Sequence, residues 1–304
     1  MSYALGQLLG NDTVKESLLA AMQHGRLAHS ILLCAEEGCG AGFAARCLAA
    51  DFLYPDQSEC PGARAVLAGE SPEVLTLAGS GASGDIKIDD VRQARREIYN
   101  TALSAAGRVV LVKGADKLNA SSANALLKVI EEPPENVLFI FTAPGEASVL
   151  PTIRSRCCAY SLAPVSEDAC GAYLAARFPL EKDIPELCAV FGGRIGSAVR
   201  VLRDPAERQA LADARSLARA VRKKDVYTCM QILAKNEKDR AASRRLLALF
   251  SSVCAASLRS SGGELAPADA ARGIARAGQA DLQLSSNVSG KLALTCLAAE
   301  LCAG

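Results

Sequence analysis

The chain has few of the residues that recognise single-stranded nucleic acids, and it carries almost no net charge. Aromatic residues make up 4% of its 304 residues and tryptophan is absent, so it offers no platform of rings on which successive bases would stack. The formal net charge is +1, which argues against the strong, salt-sensitive DNA binding of a basic protein.

Long apolar runs are also missing from the sequence. No stretch reaches the roughly 20 apolar residues that a membrane-spanning helix needs. The first residues, MSYALGQLLGND, lack the basic segment of a secretory signal. We therefore expect a cytoplasmic protein that does not associate with membranes.

Cysteine is plentiful, but its spacing is not that of a metal site. The chain has 12 cysteines, and none of them forms the Cys-x-x-Cys pair that most zinc modules contain. Many lie in apolar helical stretches, where cysteine behaves as a small hydrophobic residue. We therefore expect reduced thiols in a cytosolic protein and no bound metal.

A glycine-rich loop follows a short apolar run near the start of the chain. Residues 31–43 read ILLCAEEGCGAGF, whereas a phosphate-binding loop has the pattern G-x-x-x-x-G-K-[ST]. An alanine stands where the phosphate-binding lysine is required, and a glycine stands where the Mg²⁺-binding hydroxyl is required. The residues of this degenerate loop are Ala35, Gly38, Gly40, Ala41 and Gly42.

Two acidic residues make the same loop still less suited to a nucleotide. Glu36 and Glu37 lie where triphosphate oxygens would bind, and each pair of like charges about 5 Å apart costs on the order of 1 kcal/mol in water. The segment has the strand–loop–helix context of an ATPase without its ligands for ATP. By itself it is equally compatible with an ordinary glycine-rich turn.

A second motif of P-loop ATPases is incomplete in the same way. Residues 108–116 read RVVLVKGAD, an apolar strand followed by polar residues. P-loop ATPases carry an Asp and a Glu directly after this strand, and here those positions hold Lys113 and Gly114, so that only Asp116 remains. Because phosphoryl transfer depends on positioned charge and metal, the two losses together predict a chain that uses no nucleotide cofactor.

A capped helix and a buried strand come next. Asn119 or Ser121 can cap the start of a helix, whose apolar residues recur at helical spacing. Pro133 ends this helix, and residues 136–142 (NVLFIFT) form a further apolar strand.

Four segments resemble one protein family. Residues 124–134 (NALLKVIEEPP) and 150–157 (LPTIRSRC), together with 28–33 (AHSILL) and 86–92 (IKIDDVR), are closely similar to the clamp-loader branch of the AAA+ family. The similarity extends over most of residues 1–165.

The resemblance implies an α/β protein of three domains. Residues 1–165 correspond to an AAA+ P-loop domain with a parallel sheet and, here, a degenerate ATP site. Residues 166–205, a series of short helical patterns, correspond to a small helical lid domain. Residues 206–304 correspond to an all-α collar domain that mediates oligomerisation.

The resemblance also gives a role to one arginine. In this family the arginine of Ser-Arg-Cys is a finger donated in trans to the ATP site of a neighbouring subunit, and the matching residue is Arg156. A planar, permanently charged guanidinium suits the spread charge of a γ-phosphate. Arg154 is the nearby arginine without an assigned role.

The implied function is that of a clamp-loader subunit of the bacterial DNA polymerase III holoenzyme that does not itself hydrolyse ATP. Its partners would be subunits of the tau/gamma and delta types in a hetero-pentamer, with the sliding clamp and primer–template DNA reached through the complex. The alternatives are an active tau/gamma-type ATPase with an atypical loop and a stand-alone nucleic-acid-binding protein.

The family pattern fails at one further place. Relatives often insert a zinc module after the loop helix, with one cysteine followed by Cys-x-x-Cys-x-x-Cys. Only Cys60 matches, and the other three positions hold Tyr54, Ala63 and Val66. Because one thiolate cannot build a four-ligand zinc site, we predict that the chain holds no structural zinc.

Overall fold

The chain divides into two compact units, residues 1–165 and 166–304. The computed structural model describes residues 3–80, 84–99, 107–259, 263–286 and 288–303. The boundaries of the lid and collar domains stay predictions.

The first unit is built on a five-stranded parallel sheet with the order β2-β3-β4-β1-β5. The central strands are apolar and buried on both faces, as a parallel sheet covered by helices requires. This confirms the predicted α/β fold with a parallel sheet. The strands are β1 (Ser30–Cys34), β2 (Val74–Ala78), β3 (Arg108–Lys113), β4 (Val137–Ala143) and β5 (Cys158–Ser161).

Successive side chains of each strand point to opposite faces of this sheet, so the unit has two hydrophobic cores. Ile31 and Leu33 belong to one core and Leu32 to the other, which shows the alternation within a single strand. The helices of the unit are α1 (Asp12–Gln23), α2 (Ala41–Leu53), α3 (Pro61–Ala68), α4 (Ile88–Ile98), α5 (Ala120–Glu131) and α6 (Pro151–Arg154).

Helix α5 begins and ends where its sequence predicts. The Asn119 side chain accepts a hydrogen bond from the backbone N–H of Ser122 at 2.9 Å, so Asn119 rather than Ser121 is the N-cap. The helix ends at Glu131, two residues before Pro133. Its C-terminal end therefore lies close to the start of β4.

A buried carboxylate fixes the N-terminal segment to helix α2. Residues Ala4–Gln7 form a short 3-10 helix, and the carboxylate of Asp51 accepts hydrogen bonds from the backbone N–H groups of Ala4 at 2.5 Å and Leu5 at 2.9 Å. Burial raises the pKa of Asp51, while these two hydrogen bonds act in the opposite direction.

In its described residues the second unit consists of helices and the loops that join them. Its longest helix packs Leu246, Phe250 and Val253 into the interior of this unit. Its helices are α7 (Glu167–Arg177), α8 (Ile184–Phe191), α9 (Ile195–Arg203), α10 (Pro205–Arg222), α11 (Val226–Ala234), α12 (Arg240–Arg259), α13 (Pro267–Ser285) and α14 (Gly290–Cys302). In the part of the chain that the structure describes, every helix is too short or too polar to cross a membrane.

We predict that Asp51→Ala lowers the free energy of unfolding by about 2–6 kcal/mol, because two buried N–H groups then lack an acceptor and each such loss costs about 1–3 kcal/mol. Urea unfolding measures the difference. Asp90→Ala, at an exposed carboxylate in the first turn of α4, is the control and should change stability by less than about 1 kcal/mol. Equal losses in the two variants would contradict the role of Asp51.

Candidate functional site

The glycine-rich loop joins β1 to α2 at the carboxyl edge of the sheet. Gly38 and Gly40 have φ angles of 91° and 92°, and the N–H of Cys39 donates to the carbonyl of Glu36 at 3.0 Å. The carbonyl of Gly40 accepts the first hydrogen bond of the helix, from Ala44 at 2.8 Å. The predicted strand–loop–helix context is therefore present.

The phosphate ligands are missing from this loop although there is space for them. Ala41 and Gly42 are the first two residues of α2. A β-carbon at Gly42 would have no heavy atom within 4 Å apart from its chain neighbours and the backbone of its own helix, so the packing leaves room for the β-carbon of a serine or threonine there. What remains for an anion is the set of backbone N–H groups at the start of the helix, with the exposed Glu36 and Glu37 nearby.

The incomplete acidic motif lies at the same edge, after β3. The Lys113 side chain is exposed, and Gly114 has a φ of 81°, a conformation that strains any residue with a β-carbon. A β-carbon at Gly114 would also approach Cδ of Lys117 to 3.2 Å. The backbone at this position is therefore unsuited to the glutamate of an active ATPase.

The end of β4 connects the two degenerate motifs. The N–H of Ala35 donates to the carbonyl of Ala143 at 2.9 Å. The N–H of Gly114 lies 3.0 Å from the carbonyl and 3.2 Å from Oγ1 of Thr142. The structure thus brings together two motifs that lie about 70 to 80 residues apart in sequence. Both follow strands of one parallel sheet, and the carboxyl ends of such strands share one edge. Nothing in the sequence marks Thr142, which is the last residue but one of the otherwise apolar strand β4.

The third residue of the acidic motif also lies at this edge. Asp116 belongs to a short 3-10 helix, Ala115–Lys117. Its Oδ1 is buried and has no hydrogen-bond partner within the described ranges. An acidic side chain is thus retained beside the loop, without the two neighbours that accompany it in an ATPase.

Arg156 lies at the opposite edge of the sheet. Strand β5 runs parallel to β1, with Ile31 opposite Cys158 and Cys34 opposite Ser161. Arg156 comes before the first of these pairs, and the loop that begins at Ala35 comes after the last. At about 3.3 Å per residue, the paired stretch alone separates them by at least about 10 Å.

Three acceptors hold the Arg156 guanidinium. Its Nη1 donates to the carbonyl of Thr152 at 3.0 Å and to Oγ of Ser155 at 3.3 Å, and its Nη2 forms an ion pair with the carboxylate of Glu131. The Arg156 side chain remains 37% exposed. Arg154 is exposed as well.

The cysteine of the same motif is a packing residue. Cys157 packs against the core formed by one face of the sheet, and burial raises the pKa of its thiol to about 12. The thiol is therefore neutral at ordinary pH, whereas a nucleophilic or metal-binding cysteine must be a thiolate.

The segment that replaces the zinc module is held by packing. The Cys60 sulfur accepts a hydrogen bond from the N–H of Ala63 at 3.3 Å and caps α3, while Ala63 and Val66 are buried in the core. The Tyr54 ring lies against Gly62, where a β-carbon would come within 2.3 Å of the ring. One cysteine among apolar neighbours does not fit zinc, and no group of three metal-binding side chains occurs among the described residues.

Comparison with known proteins identifies relatives of the first unit. The family model described as DNA polymerase III, delta subunit, matches residues 10–166. DNA polymerase III subunit delta' of Escherichia coli is 30% identical over 174 residues, which cover 55% of this chain and 52% of the relative. The corresponding subunit of Pseudomonas aeruginosa is 31% identical over 182 residues, covering 57% and 56%.

The subunit gamma/tau of Mycobacterium tuberculosis is similar over a shorter range. It is 32% identical over 158 residues, which cover 50% of this chain and 27% of the relative. The matched part of the chain thus spans about half, or about a quarter, of the length of these curated relatives.

A solved structure resembles nearly the whole chain. The crystal structure of a DNA polymerase III gamma subunit-related protein from Thermotoga maritima covers 94% of this chain, and 99% of that protein is matched. The TM-score is 0.53 at 16% identity. At this identity the likeness establishes a common fold.

We predict that the purified protein contains far less than one zinc per chain, because the segment around Cys60 is held by packing and a helix cap. Metal analysis of protein prepared without chelators measures the content. Incubation with a strong chelator should leave the melting temperature unchanged, since no ligand bonds are lost. Stoichiometric zinc together with a chelator-induced fall in melting temperature would contradict this prediction.

Proposed function

We propose, from the premise that this chain belongs to the DNA polymerase III delta-subunit family, that it acts as a delta-prime subunit of the clamp loader and does not hydrolyse ATP. In this role it joins subunits of the tau/gamma and delta types in a hetero-pentamer that loads the sliding clamp onto primer–template DNA. A cytoplasmic location is part of the same proposal.

The observation that carries the proposal is the position of Arg156 relative to the chain's own loop. Because Arg156 precedes β5 and the loop follows the parallel strand β1, the two lie at opposite edges of one sheet. Arg156 therefore lies at the end of the sheet opposite the only P-loop-like segment of the described chain. An arginine in that position suits a nucleotide bound by another subunit.

The state of the loop favours this role over that of an active tau/gamma-type ATPase. Sequence identity does not decide between them, since the gamma/tau and delta' relatives are equally similar. The residues at the site do distinguish the two roles. Ala41 and Gly42 supply neither phosphate nor metal ligands, and the positive φ at Gly114 disfavours the glutamate that an ATPase requires there.

We predict that the isolated protein has no micromolar, Mg²⁺-dependent ATP site and no ATPase activity. Titration calorimetry with ATP, with and without Mg²⁺, is the measurement. The variant Ala41→Lys/Gly42→Ser restores the two ligands, and the β-carbon added at Gly42 has open space. It should gain weak binding without hydrolysis, because Lys113 and Gly114 still replace the acidic pair. A micromolar, Mg²⁺-dependent site in the unmodified protein would refute the proposal that it uses no ATP.

We predict that Arg156→Ala leaves folding and assembly intact, since an exposed arginine contributes little to stability, and lowers DNA-stimulated ATP turnover by the assembled complex. Arginine fingers raise the rate of hydrolysis by about 10³–10⁵ in other systems. One ATP site of the complex should therefore lose nearly all of its activity while the others continue to turn over. Clamp loading should be impaired more than total turnover, because it needs all sites.

Two further variants give the prediction its specificity. Arg156→Lys should rescue poorly, because an ammonium group lacks the planar fork of donors. Arg154→Ala removes an exposed arginine two residues away and should behave as the unmodified protein. If Arg156→Ala is silent and Arg154→Ala is not, the finger is Arg154; if both are silent, the chain supplies no finger.

A further inference from the structure

The ion pair of Arg156 involves a residue from a distant part of the chain. Glu131, the last residue of α5, lies 25 residues before Arg156, and its carboxylate pairs with Nη2 of the guanidinium. Both side chains are partly exposed, at 47% for Glu131 and 37% for Arg156. The two segments that meet here are NALLKVIEEPP and LPTIRSRC.

These contacts leave part of the guanidinium available to a ligand. An arginine side chain has five N–H donors. The two hydrogens of Nη1 are directed to the Thr152 carbonyl and the Ser155 hydroxyl, and one hydrogen of Nη2 is directed to Glu131. Among the described contacts, Nε–H and the second Nη2–H have no acceptor. A bidentate contact with a phosphate uses two such donors.

The position of Glu131 is itself fixed against the sheet. The ring nitrogen Nε2 of His29 lies 3.0 Å from the carbonyl of Ile130, at the end of α5 where helix carbonyls lack partners within the helix. His29 directly precedes β1. This contact joins the end of α5 to the start of a central strand, so the carboxylate next to it is presented from a rigid element.

We propose that Glu131 is a positioning residue that holds the Arg156 guanidinium in the orientation in which it meets the nucleotide of a neighbouring subunit. The inference rests on the proposed function of Arg156. A long arginine side chain has about 2 kcal/mol of rotamer entropy to lose when it is fixed. An acceptor at Glu131 removes part of that freedom before assembly and leaves two N–H donors for a ligand.

The test compares three variants in the assembled complex. The measured quantity is the part of the DNA-stimulated ATP turnover that is lost in Arg156→Ala. Glu131→Ala should lower kcat for that part by about three- to tenfold, the effect of one exposed hydrogen bond, with KM for ATP unchanged. Glu131→Gln retains an oxygen acceptor and should keep most of the rate. Glu132→Ala, at the exposed neighbouring glutamate, is the matched control and should have no effect.

A double variant separates positioning from a structural effect. If Glu131 acts through Arg156, then Glu131→Ala/Arg156→Ala should be no slower than Arg156→Ala, since two residues acting as one unit are not additive. Glu131→Lys, which repels the guanidinium, should lose at least as much as Glu131→Ala. The melting temperatures of all variants should match that of the unmodified chain.

The outcomes distinguish the two roles. If Arg156→Ala has no effect on turnover, Arg156 is not the finger, and both that assignment and the positioning role of Glu131 are overturned. If Arg156→Ala lowers turnover but Glu131→Ala and Glu131→Lys do not, only the positioning role is overturned. Faster turnover in Glu131→Ala would mean that the carboxylate restrains the arginine, and it would equally overturn the proposal. Additive losses in the double variant would assign Glu131 a role that is independent of Arg156.

Discussion

A parallel sheet has two chemically different edges, and this constraint determines what the first unit can do. Because the strands are parallel, the segments that follow them lie at one edge of the sheet and the segments that precede them lie at the other. The degenerate loop and the acidic motif share the carboxyl edge. Arg156 and Glu131 share the amino edge.

The loop at residues 35–42 is held by packing within the chain. Ala35 and Cys39 are buried in the same hydrophobic core as Ile31 and Leu33 of β1, and Ala41 packs against that core. The buried Asp51 carboxylate fixes the N-terminal segment to α2. The segment around Cys60 is likewise held by a helix cap and buried apolar residues.

Much of this arrangement could be predicted from the sequence, because it depends on local patterns. The apolar run before the loop, the Asn119 cap and Pro133 are recognisable without coordinates, and the parallel sheet follows from the alternation of strands and helices. Glu131, Thr142 and the Asp51 contact could not be predicted. Their partners are distant in sequence, and an acidic residue at a helix end has many possible partners until the topology is fixed. The double glutamate before Pro133 was the one available signal for Glu131.

The proposed function requires that this chain completes the ATP site of a neighbour and has none of its own. The most direct measurement is an electron cryomicroscopy structure of the assembled clamp loader with a non-hydrolysable ATP analogue and Mg²⁺. We expect the Arg156 guanidinium within hydrogen-bonding distance of the γ-phosphate held by the adjacent subunit, and no nucleotide at loop 35–42. A nucleotide with its Mg²⁺ bound in that loop, or an Arg156 side chain directed into solvent at every interface, would contradict the claim.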